Sequence, residues 1–180
     1  LPQTELVKDN GFEILYLTDN IDEFAIKSLM KYKDKEFKSV SADDMGLDTP
    51  EKKEELKAKE EESADLLKEL QEALNGKVTK VALSQRLKSH PVCLTSEGEI
   101  SLEMEKVLNS MPTDQKIHAQ RVLEINPDHE IFGKLKSISE GGDKKRIGKY
   151  AKLLYDQALL IEGMSIEDPV EFSNLICELM

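Results

Sequence analysis

The sequence holds three imidazoles, His90, His118 and His129, and two thiols, Cys93 and Cys177. A nucleophile or a metal site needs such groups in company, and two places offer it. His90-Pro91-Val92-Cys93 puts an imidazole and a thiol close in sequence. Glu124, Asp128 and His129 gather two acids and an imidazole at a strand-to-helix turn, where general acids and bases can stand. Each has a plainer explanation. Pro91 holds the chain before it extended, and no second ligand pair follows. Asn126-Pro127-Asp128 reads as a cap and first turn, with Asn126 as N-cap and Pro127 at the first helical position. Both cysteines read as small buried apolar residues of a reducing compartment. Gly141-Gly142-Asp143 before Lys144-Lys145-Arg146 is a weak echo of a phosphate loop; neither a G-x-x-x-x-G-K-[ST] nor a G-x-G-x-x-G run occurs. Three cations at a helix start oppose its dipole, so either the helix begins later or acidic groups nearby hold them. An enzyme or metal protein built on Glu124, Asp128, His129 or Cys93 is the competing reading, and no bound metal is expected.

Ile100 to Met111 carries the chemistry of binding. Leu102, Met104, Val107, Leu108 and Met111 alternate with Glu103, Glu105, Lys106 and Asn109, giving a short helix with one greasy and one charged face. Periodicity alone fits a helix turned toward its own core. The flanks add to that, because Ser96-Glu97-Gly98-Glu99 and Pro112-Thr113-Asp114 are loop-like. A loosely tethered, Met-rich face adapts to varied apolar segments.

The elements that must position these groups are bounded by composition. Across 180 residues, Asp+Glu 36 against Lys+Arg 25 leaves a net charge of -11, which disfavours nucleic acid, since phosphates are held by clustered cations. No apolar run reaches the roughly 18 residues of a membrane span. The opening Leu-Pro-Gln-Thr has neither an initiator Met nor a signal peptide and points to a piece of something longer.

Residues 1–49 read as a small α/β unit. Phe12 to Leu17 is its first strand. A helix follows from near Asn20, with Thr18 or Asp19 as cap and Asp22 as the acidic half of a capping box. Ile21, Phe24, Ala25, Leu29 and Met30 would face the strand, and Glu36 to Val40 would be a second strand. So short a unit buries a thin core, and a partner unit beyond this sequence is expected. The turn-rich residues 41–50 mark the boundary, and Thr49-Pro50 opens a long helix. Residues 51–65 are 11 charged out of 15, a solvated face. Leu56, Ser63, Leu67, Leu70 and Leu74 form a stripe that ends at Asn75-Gly76. Strands at Val78 to Leu83, Pro91 to Thr95 and Arg121 to Ile125, with helices around them, make 50–180 an α+β domain with a three-stranded sheet.

The last helices have the strongest period. Ile147, Ala151, Leu154, Ala158 and Ile161 step by 4, 3, 4 and 3, a heptad-like seam, with Tyr150, Leu153 and Leu160 beside it. Gly163 ends that helix. Asp168-Pro169-Val170-Glu171 opens the next, with Phe172, Leu175, Ile176 and Leu179 on one face. No later element in the sequence covers that face. A second copy is expected to do so, two helices from each chain forming a four-helix bundle.

Taken together, several strings resemble the bacterial branch of the ninety-kilodalton heat-shock chaperone family. They are Gly11 to Asp19 (GFEILYLTD) with Ile21-Asp22-Glu23-Phe24, Val78 to Leu87 (VTKVALSQRL), Pro91-Val92-Cys93-Leu94, Leu123 to His129 (LEINPDH) and Leu154 to Leu160 (LYDQALL). They follow the family's order over essentially the whole chain. The resemblance implies a cytoplasmic protein, with the end of a middle domain at 1–49 and a C-terminal dimerisation domain at 50–180. It implies a homodimer bundle built from Ile147, Ala151, Leu154, Ala158, Ile161, Phe172, Leu175, Ile176 and Leu179. Unfolded clients would meet Leu102, Met104, Val107, Leu108 and Met111. ATP and Mg serve the whole protein in such chaperones, at positions without counterparts here. This stretch is therefore expected to be non-enzymatic and free of cofactors, with no nucleic-acid or membrane partner. A purely structural dimerisation module is the alternative. Cys177-Glu178-Leu179-Met180 stands where eukaryotic cytosolic members carry an acidic Met-Glu-Glu-Val-Asp tail, a departure that points to a bacterial protein and away from tail-binding partners.

Overall fold

A computed structural model describes residues 2–19, 21–41, 50–112 and 116–179, and its elements mix helix and sheet in the α+β manner expected. Asn20, most of the boundary at 41–50 including Thr49, Thr113-Asp114 and Met180 lie outside the described residues.

The first unit departs most from expectation. A 3-10 turn at Pro2–Thr4 runs into α1 (Glu5–Asp9). Phe12 to Leu17 is not a strand: Phe12, Leu15 and Tyr16 are 55%, 56% and 65% exposed. A strand exists by its ladder, and no strand among the described residues runs beside this one. α2 (Asp22–Leu29) keeps only the acidic half of the anticipated box: the Asp22 carboxylate accepts from the N–H groups of Thr18 at 3.0 Å and Asp19 at 3.1 Å, while Ile21, not Thr18 or Asp19, stands at the N-cap and makes no side-chain capping bond. With the strand absent, Ile21, Leu29 and Met30 are exposed and Phe24 only half-buried, and no residue of α2 is buried. The second strand, expected at Glu36 to Val40, is instead a hairpin of β1 (Lys31–Tyr32) and β2 (Lys35–Glu36). Lys33 turns it in the left-handed region, at φ 55.

From Pro50 onward the sequence and the fold agree closely. α3 (Pro50–Glu62) and α4 (Ala64–Ala73) make the long helix, bent at a buried Ser63. Leu67, Leu70 and Leu74 are buried, and Leu56 packs against them half-buried. Asn75 at φ 48 and Gly76 at φ 81 stop the helix in the left-handed region that glycine tolerates. Then come β3 (Lys80–Leu83), β4 (Val92–Glu97), α5 (Leu102–Ser110), β5 (Gln120–Ile125), α6 (Glu130–Glu140), α7 (Lys144–Ile161) and α8 (Pro169–Leu179).

The sheet order is β3-β5-β4, with β5 parallel to β3 and antiparallel to β4. α7 lies against β4, and α4, α6 and α8 pack around α7. The core gathers Leu70, Leu94, Leu123, Leu135, Ile147 and Ala151 with their neighbours. The sheet's two outer edges are both met by side chains or loop backbone. On β4, the Ser96 N–H donates to Ser41 O at 3.2 Å, and Gln3 Nε2 donates to Leu94 O at 3.0 Å. On β3, the Leu83 N–H donates to Glu60 Oε1 at 3.0 Å.

One expected cap moves. Asn126 is fully buried and turns the chain, its Oδ1 accepting from the Asp128 N–H and its Nδ2 donating to the carbonyls of Lys88 and His90. The helix starts later, at Glu130, and His129 caps it, Nδ1 accepting from the Ile131 N–H at 3.1 Å. Among the described residues no helix is long and apolar enough to cross a membrane.

Candidate functional site

α5 forms where its amphipathic pattern lies. Ser101 caps it, Oγ accepting from the Met104 N–H at 3.1 Å, and Met111 ends it in an extended conformation. Leu102 is fully buried, Met104, Val107 and Leu108 are half-buried, and Met111 is 45% exposed. The greasy face is thus anchored at its N-terminal end and open at the other. α2 holds the anchored end, with the Ser101 hydroxyl donating to Glu23 Oε1 at 2.8 Å and Lys27 Nζ donating to Glu99 O at 2.9 Å.

Glu105 is the residue that the pattern passes over. It sits on the apolar side of α5, 3% exposed, three residues after Leu102 and three before Leu108. Its carboxylate accepts from Arg121 Nη2 and Nε at 2.5 and 3.3 Å, and from the Ala119 N–H at 3.0 Å. Burial raises this carboxyl, and the bonds from Arg121, Ala119 and His118 outweigh burial and hold it below its usual range. An acid at a greasy helical position was the available signal. Its partner lies too far along the chain for spacing to show.

The terminal helices divide the residues expected between copies. Ile147, Ala151, Leu154 and Ala158 lie in the chain's own core at 0 to 3% exposed, and Ile161 is half-buried. On α8, whose first turn is capped by Asp168 Oδ1 accepting from the N–H groups of Val170 and Glu171, Leu175 is buried, and Phe172, Ile176 and Leu179 are half-buried. A helix that covers a sheet must turn its most regular stripe inward. Of the neighbouring stripe Tyr150 is buried too, whereas Leu160 is 48% exposed and Leu153 half-buried, and Val170 at the start of α8 is 70% exposed.

Of the residues weighed for catalysis, Cys93 and Glu124 meet, Cys93 Sγ donating to Glu124 Oε2 at 3.8 Å, while Asp128, His129 and His90 are held elsewhere. Cys93 is fully buried; burial and then the Glu124 carboxylate push its thiol well above the usual range. Cys177, expected to be buried, is exposed on α8. His90 Nδ1 lies 2.9 Å from Glu5 Oε1, with no part in a pair with Cys93. The Asp128 side chain is 80% exposed, 3.3 Å from Lys59, and His129 serves as a helix cap. Glu124 is held inside by Arg86, whose Nε and Nη2 each lie 3.0 Å from its oxygens, and by the hydroxyls of Ser84 at 2.7 Å and Thr95 at 3.1 Å. Arg86 also donates to Val40 O at 2.8 Å. α7 does start at Lys144, and Asp143 caps it, Oδ1 accepting from the Arg146 N–H at 3.0 Å.

Comparison with known proteins completes the description. A family model described as Hsp90 protein matches residues 1–180. The chain is 55% identical to the "Chaperone protein HtpG" of Bacillus velezensis, 56% to that of Alkaliphilus oremlandii and 57% to that of Clostridium acetobutylicum. In each case the match takes in 100% of this chain and 28 or 29% of the relative. These matches correct the expectation of a non-enzymatic stretch. The whole of this chain is matched within longer chaperone relatives, and a stretch that spans 28 or 29% of each gives no ground for setting it apart as a non-enzyme.

Proposed function

Because the chain belongs to the Hsp90 protein family, we propose that it is the part of a bacterial chaperone that joins two copies and offers α5 to unfolded clients. On this reading 1–49 is the end of a middle domain and 50–180 a C-terminal dimerisation domain.

The observation that carries the reading is the uncovered apolar face of α7 and α8. Leu153 and Leu160 on one helix and Val170, Phe172 and Ile176 on the other are left partly or largely exposed, while Ile147, Ala151, Leu154, Ala158 and Leu175 are packed inside. Apolar side chains left in water at two adjoining helices are what a self-complementary contact covers, and a stable one buries at least roughly 1,200 Å² in total. Joining two copies there raises the effective concentration of everything each carries to about the mM range, so weak contacts elsewhere suffice to close the pair on a client.

The test uses the exposed stripe and leaves the core alone. Leu160→Lys and Ile176→Lys should halve the solution mass by light scattering while helical content stays unchanged. Unaltered mass in both variants sinks the proposal.

A further inference from the structure

Arg121 stands on the central strand between α5 and α7. Its Nη2 and Nε donate to the Glu105 carboxylate, and its Nη1 donates to the Tyr155 hydroxyl of α7 at 2.6 Å. Glu105 and Tyr155 are 3% and 2% exposed, so water does not stand in for either contact. Ala119 N–H and His118 Nδ1, the latter at 3.2 Å, complete the surroundings of the carboxylate. On the far side, Lys77 Nζ lies 5.9 Å from the centroid of the Tyr155 ring and 2.6 Å from Glu167, in the turn between α7 and α8. One polar path therefore runs from α5 through β5 and α7 to the approach of α8. A guanidinium holds its donors in one rigid plane, so an acceptor that moves on one side reorients the bond on the other.

We propose that Arg121 is a positioning residue that couples α5 to α7. The Tyr155 hydroxyl sets the guanidinium, and the guanidinium sets how firmly α5 is held to the sheet and hence how readily its apolar face is offered. The last step alone rests on α5 as the client helix. A shift of α7 when two copies join is then felt at α5, and occupation of α5 is felt at α7 to the same extent.

Amide exchange of residues 102–110 in the whole chain reads the coupling directly. Tyr155→Phe removes one oxygen and keeps the ring, and it should quicken α5 exchange about fivefold, the size of one hydrogen bond's net contribution, while residues 120–125 keep their protection. Glu105→Gln should quicken α5 exchange too. The double variant should go no further than Glu105→Gln alone, because both act through the same carboxylate. Unchanged α5 exchange in Tyr155→Phe, or effects that multiply in the double variant, overturns the coupling. Binding of a carboxymethylated, permanently unfolded protein is the second readout, and it should tighten in Tyr155→Phe. Binding by neither protein, with exchange altered as expected, leaves the coupling in place and overturns the client role of α5.

Discussion

Arg86 and Glu124 face each other inside the protein with side chains 4% and 5% exposed. A buried pair is weak evidence of stability, but breaking one half of it leaves a charge with no partner. Arg86→Met should therefore cost about 3–5 kcal/mol in urea unfolding, with much of that recovered when Glu124→Leu is added. A cost under about 1 kcal/mol for the single variant would mean that Glu124 finds other company. The same reasoning shows why Leu154 and Leu175 are poor probes of assembly: at 3% and 6% exposed, they would report damage to the chain's own core.

At the scale of elements, α1 is docked onto the loop before β4 through Glu5. Its carboxylate accepts from the N–H groups of Lys88 at 2.8 Å and Ser89 at 3.1 Å, and Lys88 Nζ reaches Asp9 at 2.6 Å. Burial raises the Glu5 carboxyl, and the bonds from Ser89, Lys88 and His90 more than offset it, bringing it from 4.5 to about 2. An acid lowered by folding adds stability above its unfolded value and loses it as pH falls through the folded one. The gap in urea midpoint between wild type and Glu5→Gln should then be full above pH 4.5 and close toward pH 2. A gap independent of pH counts against the docking. Legibility also divides at this scale. α7 and α8 are readable because period, cap and stop lie within one stretch, as does β5 with its run of branched residues. Phe12 to Leu17 has an equally good strand composition and forms none, since a strand is a property of two segments. The β1–β2 hairpin is made of Lys, Tyr, Asp and Glu and has no apolar alternation to read. α5 was legible by spacing, whereas what holds it, Glu105 with Arg121 and Tyr155, joins positions far apart in the sequence.

For the whole molecule, assembly and stability are one equilibrium if α7 and α8 close on a second copy. Whatever binds only the folded state stabilises it by mass action, and a second copy is such a ligand. The thermal midpoint should rise with protein concentration in the wild type and stay flat in Leu160→Lys; a flat wild type argues for folding without assembly. The net charge of -11 fits this arrangement, since repulsion between copies discourages contacts other than the apolar one. Chain ends met by a chaperone are unfolded backbones in search of a template, and an open sheet edge is such a template. Ser41 and Gln3 occupy β4, and Glu60 occupies β3. Those contacts oppose strand-by-strand growth on the sheet, and on the proposed reading a client would be left with apolar side chains to hold.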